Sequence, residues 1–169
     1  MGQYEYGSRE IKVKPDISSA NYQKVLNSAL RILTGRDHSR HELLCKLKQR
    51  GFAPQDIAQA VSECERLDYI NDERTARLYI RQMTSKGYGV KRIRHAMNQK
   101  GLRGKRIQHI LDETISNADE QKSAERIWQK NIKRFEREND LQKRKQKVYK
   151  FLYARGFPPN IIRKLVNKI

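Results

Sequence analysis

Leu43-x-x-x-Leu47-x-x-Arg50-Gly51-Phe52-x-x-x-x-Ile57 returns as Ile93-x-x-x-Met97-x-x-Lys100-Gly101-Leu102-x-x-x-x-Ile107, and again as Val148-x-x-x-Leu152-x-x-Arg155-Gly156-Phe157-x-x-x-x-Ile162. Apolar residues four apart share one helix face, and the glycine four further on is where a helix can end in a left-handed residue. Each copy therefore encodes helix, glycine stop, helix. Three copies in series predict an array of small helical modules, an architecture that serves as an extended binding surface more often than as a catalytic pocket.

Working outward, the glycines lie 50 and 55 residues apart, which suits modules of two or three helices over residues 21–67, 68–115 and 116–169. The first module opens with an apolar stripe at Tyr22, Val25, Leu26, Ala29, Leu30 and Leu33. Ser39-Arg40-His41-Glu42 fits a capping box for the next helix. Pro54, and later Pro158-Pro159, sit where a first helical turn tolerates proline. In the second module Asn71 or Asp72 caps a helix with Ala76, Tyr79, Ile80 and Met83 inward and Arg74, Arg77 and Arg81 on another face. Ser116 to Glu120 reads as a linker to the third module, whose first helix carries Ala124, Ile127, Trp128, Ile132 and Phe135, with Trp128 as its largest core anchor. Residues 1–20 form an arm in which Tyr4 to Val13 has the alternation of a hairpin around Gly7-Ser8, the alternative being a disordered arm.

The 37 Lys and Arg against 19 Asp and Glu leave a net charge of +18, and self-repulsion of that size calls for an anionic partner, nucleic acid or an acidic protein surface. The field is uneven: +2 over residues 26–66, +9 over 72–111 and +11 over 122–169. Eleven basic residues fall within positions 74–106 with no acid among them, so the expectation is that intramodule pairing leaves them unneutralised. Lys86-Gly87-Tyr88-Gly89 allows two readings: a tight turn that pushes Tyr88 outward beside Lys86 and Lys91, or Tyr88 folded back as a lid on its own bundle. Lys143 to Lys150 forms a second basic patch near Tyr149 and Tyr153.

Enzymatic chemistry has no foothold. No nucleophile elbow, Walker loop or zinc-protease motif is present. His38, His41, Cys45 and Cys64 are metal-donor types but lack zinc-site spacing, and His95 and His109, without a carboxylate partner close in sequence, read as surface residues. We therefore expect no metal, no cofactor and no catalytic residues. Two cysteines make no disulfide framework, and neither a secretion signal nor a membrane span is apparent, which predicts a cytoplasmic protein with reduced thiols. The large charge favours a monomer. A helix-Gly-helix unit could also read DNA, but the residues after the three glycines (Ala53-Pro54-Gln55, Arg103-Gly104-Lys105, Pro158-Pro159-Asn160) are not a consistent reading set. Contact to the nucleic-acid backbone stays open.

Arg36-x-x-Ser39-x-x-Glu42-Leu43-x-x-Lys46-Leu47, Leu67-Asp68-Tyr69-Ile70-Asn71-Asp72, Lys86-Gly87-Tyr88-Gly89-Val90-Lys91-Arg92-Ile93-Arg94 and Asn98-Gln99-Lys100-Gly101-Leu102 together resemble the bacterial RecX family of regulatory proteins. The likeness covers about residues 25–169 and is matched in the third module at Tyr153-x-Arg155-Gly156-Phe157. Thr75 departs from a usual aromatic and Ala96 from a common Glu. The resemblance implies an all-α fold of three tandem three-helix modules in an elongated, curved helical-repeat protein. Three such bundles, built of helices about 10 Å across, would span roughly 60–80 Å. It implies binding to RecA and the RecA–DNA filament groove, with inhibition of filament extension, ATPase, strand exchange and co-protease activity. Combined with the basic faces, it nominates as RecA- or DNA-binding residues Arg74, Arg77, Arg81, Lys86, Tyr88, Lys91, Arg92, Arg94 and Lys100, with Lys145, Lys147 and Arg155 from the last module. The competing expectation is a helical protein that binds single- or double-stranded nucleic acid without sequence preference or a recombinase partner.

Overall fold

The computed structural model describes residues 20–169, so the hairpin or arm expected at the N-terminus lies outside the described residues. Ten helices follow in order: α1 Ala20–Leu33, α2 Arg40–Gln49, α3 Pro54–Arg66, α4 Asp72–Ser85, α5 Val90–Gln99, α6 Lys105–Thr114, α7 Asn117–Lys130, α8 Ile132–Glu136, α9 Leu141–Ala154 and α10 Pro159–Val166. They bury three separate cores, one per bundle: α1–α3 around Leu43, Leu47 and Val61, α4–α6 around Ile80, Ile93 and Leu111, and α7–α10 around Val148, Leu152 and Phe157. Extended helix-to-helix packing is confined to these bundles. The three therefore stand in a row and meet only at narrow joints.

The local signals account for most boundaries. Ser39 and Glu42 form the reciprocal capping box that opens α2, Asn71 caps α4, and Pro54 and Pro159 stand at the starts of α3 and α10. Gly51, Gly101 and Gly156 each take a left-handed conformation with φ of 79°, 76° and 86°, which a residue with a Cβ adopts only at a cost. Ile32 joins the first core although the apolar stripe read from the sequence omitted it. Thr75, where the resemblance implied an aromatic, is buried against the middle bundle at 7% exposure.

Two expectations for the last bundle need correction. Ser116 to Glu120 is no linker: Ser116 caps α7, accepting from the Asp119 N–H at 3.1 Å, and Glu120 is buried in its first turn. The first helix also breaks at Asn131, whose side chain donates to the Ile127 carbonyl at 2.8 Å and so competes with the helical ladder, sending Ile132 and Phe135 into the separate α8. Trp128 sits in this core at 9% exposure, whereas Phe157 is the large side chain enclosed completely.

The joints repeat one arrangement. At the first, Ser39 at the start of α2 donates its hydroxyl to the carbonyl of Lys100 at the end of α5 (2.5 Å). At the second, the N–H of Gly89 at the start of α5 donates to the carbonyl of Arg155 at the end of α9 (2.8 Å), and the Lys91 N–H donates to the Gly156 carbonyl (3.1 Å). The C-terminal end of one bundle's glycine-stopped helix thus abuts the N-terminal end of the preceding one, and orphan donors meet orphan acceptors with helix dipoles aligned. Position 89 must be glycine for a reason other than conformation. A Cβ there would lie 2.5 Å from the Gly156 carbonyl and the Phe157 nitrogen.

The third copy of the motif closes the row. Ser39 and Gly89 stand twelve residues before their glycines, and the matching residue is Arg144. Arg144 lies inside α9, which begins earlier at Leu141 and is capped by its own Asp140 through the N–H groups of Gln142 (2.8 Å) and Lys143 (3.1 Å). The end that would receive another bundle is covered by an extra helical turn.

Candidate nucleic-acid interface

The basic residues were expected to lack intramodule partners, and here the structure overturns the sequence reading. Acids just outside positions 74–106 reach back: Asp68 to Arg74 (2.6 Å), Glu113 to Arg77 (3.7 Å), Asp112 to Arg94 (3.7 Å), and Glu73 to Arg106. The helical fold brings α6 beside α4, so residues some thirty-five positions apart become neighbours. Counted over residues 68–115, the middle bundle carries eleven bases and five acids, a net +6. These pairs are exposed and of the kind that contributes little energy, so they thin the field without locking the side chains. His109 likewise finds a carboxylate, Glu113, at 3.2 Å one turn along α6.

Several nominated residues prove to be built into the joints. Lys100 is half-buried and holds Glu42 at 2.5 Å while lying over the Tyr79 ring at 5.1 Å. Glu42 also receives Arg36 at 3.1 Å and the Ser39 N–H at 3.1 Å. Burial pushes the Glu42 carboxyl up, but the hydrogen bonds from Arg36, Lys100 and Ser39 outweigh it and bring its pKa down to about 2. At the other joint Arg155 donates to the carbonyls of Lys86 (3.4 Å) and Gly87 (3.3 Å) and lies over the Phe151 ring at 4.8 Å. Arg92 donates to the Ala154 carbonyl at 3.1 Å.

Tyr88 folds back on its own bundle, as the second of the two sequence readings had it, and packs against the α4–α6 core. It is half-buried between the middle and last bundles, with Arg92 over its ring at 4.6 Å and Arg155 at 5.8 Å. Gly87 supplies the left-handed turn (φ 78°) that aims it there. Beside it, the Glu120 carboxylate accepts the Val90 N–H at 2.8 Å. Burial holds the Glu120 pKa above its ordinary value, so its contribution to stability is largest at acid pH and is lost as pH rises through the folded pKa. Glu120→Gln keeps the acceptor and drops the buried charge; stability at pH 7 is expected to be equal or higher by about 1 kcal/mol, read from thermal midpoints. A clear loss would show that the charge itself holds the joint.

What is left for a partner is a shorter set. Among the described residues, Arg81, Lys86, Lys91 and Lys145 make no ion pair, whereas Lys147 is held by Glu138. Lys86 and Lys91 flank the second joint, and Arg81 lies on the exposed side of α4. The metal-donor types do not converge: Cys64 is buried in the first core, and His41 and Cys45 form a lone 3.6 Å contact on α2. No described group of three or more donors could hold a metal ion, and no described helix is long and apolar enough to cross a membrane.

Comparison with known proteins agrees with this architecture bundle by bundle. Family models described as the first, second and third three-helix domains of RecX match residues 26–64, 71–111 and 118–166. The regulatory protein RecX of Legionella pneumophila (strain Corby) is 38% identical over 147 residues, covering 86% of this chain and 95% of its own. That of Pasteurella multocida (strain Pm70) is 32% identical over 135 residues, covering 79% and 80%. The crystal structure of RecX from Lactobacillus salivarius superposes with a TM-score of 0.75 at 22% identity, over 88% of this chain and 96% of that one, which speaks for the fold. With all three bundles matched in order and relatives aligned over most of their length, this chain belongs to the RecX family of regulatory proteins.

Proposed function

We propose that this RecX family member binds RecA and the RecA–DNA filament, lies along the filament groove and restrains filament extension, with ATPase, strand exchange and co-protease activity falling as a consequence. The observation that carries this reading is the combination of family and charge placement: a row of three bundles joined at their ends, with Arg81, Lys86 and Lys91 unpaired around the middle of the row. A row of this kind offers length for contacting neighbouring subunits, and its cations suit a groove that contains phosphates. Arg74, Arg77, Arg94 and Lys145 extend the surface, the first three able to exchange an exposed acid for a phosphate at little cost. Lys100, Arg92 and Arg155 support the surface by fixing the joints.

The test is RecA ATPase on single-stranded DNA with substoichiometric additions of the protein; inhibition well below one molecule per RecA is expected, and full activity at equimolar protein would end this reading. Arg81→Glu combined with Lys91→Glu is expected to weaken inhibition about tenfold or more, to lower the slope of log affinity against log salt by about 2, and to leave helicity unchanged. Unaltered inhibition would remove both residues from the interface.

The net charge of +18 also favours a second reading, nonspecific nucleic-acid binding without a recombinase. It predicts that bare single-stranded DNA is bound as tightly as RecA-coated DNA. Six to ten phosphate contacts would then lose about 10³–10⁵ in affinity between 50 and 200 mM salt, whereas a filament complex retains a protein-dependent component.

A further inference from the structure

The joint between the middle and last bundles leaves a cleft of about 720 Å³, within the range of sites that hold small ligands, about 300–1,000 Å³. Its wall carries Lys86, Lys91, Arg92 and His95, and no carboxylate lines it. Three tyrosines reach it, and they differ in what occupies their rings. Lys100 lies over Tyr79, and Arg92 and Arg155 lie over Tyr88. Among the described residues the ring of Tyr153 is stacked by Tyr149 and by no cation, the pair nearly parallel at 13° with centroids 6.1 Å apart, and Tyr153 is 55% exposed. An aromatic ring this open, on a helix that is itself pinned at the joint, is a flat apolar surface available to a partner. It stands beside Lys86 and Lys91, which form no ion pair among the described residues.

We propose that this cleft takes unpaired bases of single-stranded DNA, with Tyr153 as the stacking platform and Lys86 and Lys91 holding the adjoining phosphates. The chemistry selects the occupant. A duplex keeps its base faces stacked inside and offers the ring nothing but backbone. An acidic peptide would satisfy the lysines but leave the parallel tyrosine pair without purpose. Single strands present both anionic backbone and free base faces, the two features that sequence-tolerant single-strand sites combine. The inference rests on the filament reading only in choosing DNA as the polymer.

The test compares fluorescein-labelled oligothymidylate of about 12 nucleotides with an oligomer of equal length whose sugars are abasic, by anisotropy with the full-length protein. Equal phosphates with and without bases isolate stacking from charge. The wild-type protein is expected to bind the thymidylate about tenfold more tightly than the abasic strand. Tyr153→Ala should erase that preference and Tyr153→Phe should keep it. Equal binding of the two strands by wild type, or a preference that survives Tyr153→Ala, overturns the proposal. The same proteins are assayed on RecA ATPase. Loss of the cleft site shows as vanished base preference with inhibition intact, whereas failure of the filament reading shows as no inhibition with the preference retained.

Discussion

Gly156→Ala is expected to destabilise the protein by about 3 kcal/mol or more, while Gly51→Ala, the same substitution at the matching place in the first bundle, costs only about 1–2 kcal/mol. Both glycines are left-handed, with φ of 86° and 79°, so the conformational penalty of a Cβ is common to them. Their surroundings differ. A Cβ on Gly51 meets nothing within 4 Å, whereas one on Gly156 would collide with the backbone nitrogen of Arg92 and come to 2.5 Å of its Cβ. Those atoms belong to the first turn of α5 and cannot rotate away. Relief requires α9 to withdraw from α5, which breaks the hydrogen bonds of Gly89 and Lys91 to the end of α9. Because each bundle keeps its own core, the opened variant should unfold in separated steps, with the α7–α10 bundle melting apart from the rest. Denaturant titration followed by circular dichroism and by the fluorescence of Trp128, the single tryptophan, distinguishes the two variants. Equal losses at positions 156 and 51 would mean that the joint contributes nothing to stability.

Glu42→Gln tests the other joint and is expected to cost about 2–3 kcal/mol at pH 7. Glu42 is only 16% exposed in its side chain and holds Arg36 and Lys100 together, so its removal leaves a half-buried ammonium beside an amide. The pH dependence identifies the cause. A folded-state pKa of about 2, against an ordinary 4.5, corresponds to about 3 kcal/mol of stabilisation. Since the folded value is depressed, that contribution is fully present above about pH 5 and disappears as pH falls toward 2. The difference between wild type and Glu42→Gln, read from urea midpoints across this window, should therefore close on acidification. A difference that stays constant with pH would assign the loss to packing instead. Glu120, with its raised pKa, responds in the opposite sense, so the two joints part company as the solution is acidified.

The helices were legible in the sequence because their signals are local: Ser39 with Glu42, Asn71, the two prolines and three glycines each act on atoms within a turn of themselves. The repeat likewise exposed the three cores, since apolar residues four apart report a buried face wherever they fall. What stayed hidden was everything set by one bundle meeting another. Gly89 looked like half of a tight turn and is a contact surface for Gly156. Lys100, Arg92 and Arg155 looked like free cations and are joint fasteners, because nothing in a linear pattern says that the end of α5 will lie against the start of α2. The acids that pair with Arg77 and Arg94 come from the far end of α6, so a charge count over a sequence window overstated the field. Asn131 marked the break between α7 and α8, yet an asparagine in a helical pattern is common enough to be passed over. Tyr153 was noted as a neighbour of the second basic patch and as part of the third-module motif, and its open ring became apparent once the partners of Tyr79 and Tyr88 were known.

The added turn at the start of α9 has a consequence for assembly. End-to-end docking is self-similar: the bond that joins the second bundle to the first would join a fourth to the third, or one molecule to the next, without limit. With α9 beginning at Leu141, ahead of the matching position Arg144, the third repeat does not present the helix start at which the other two receive their neighbour, so the contact that builds the row is not repeated at its end. Laid along a polymer as proposed above, a row that ends in this way would span a set stretch of it per molecule.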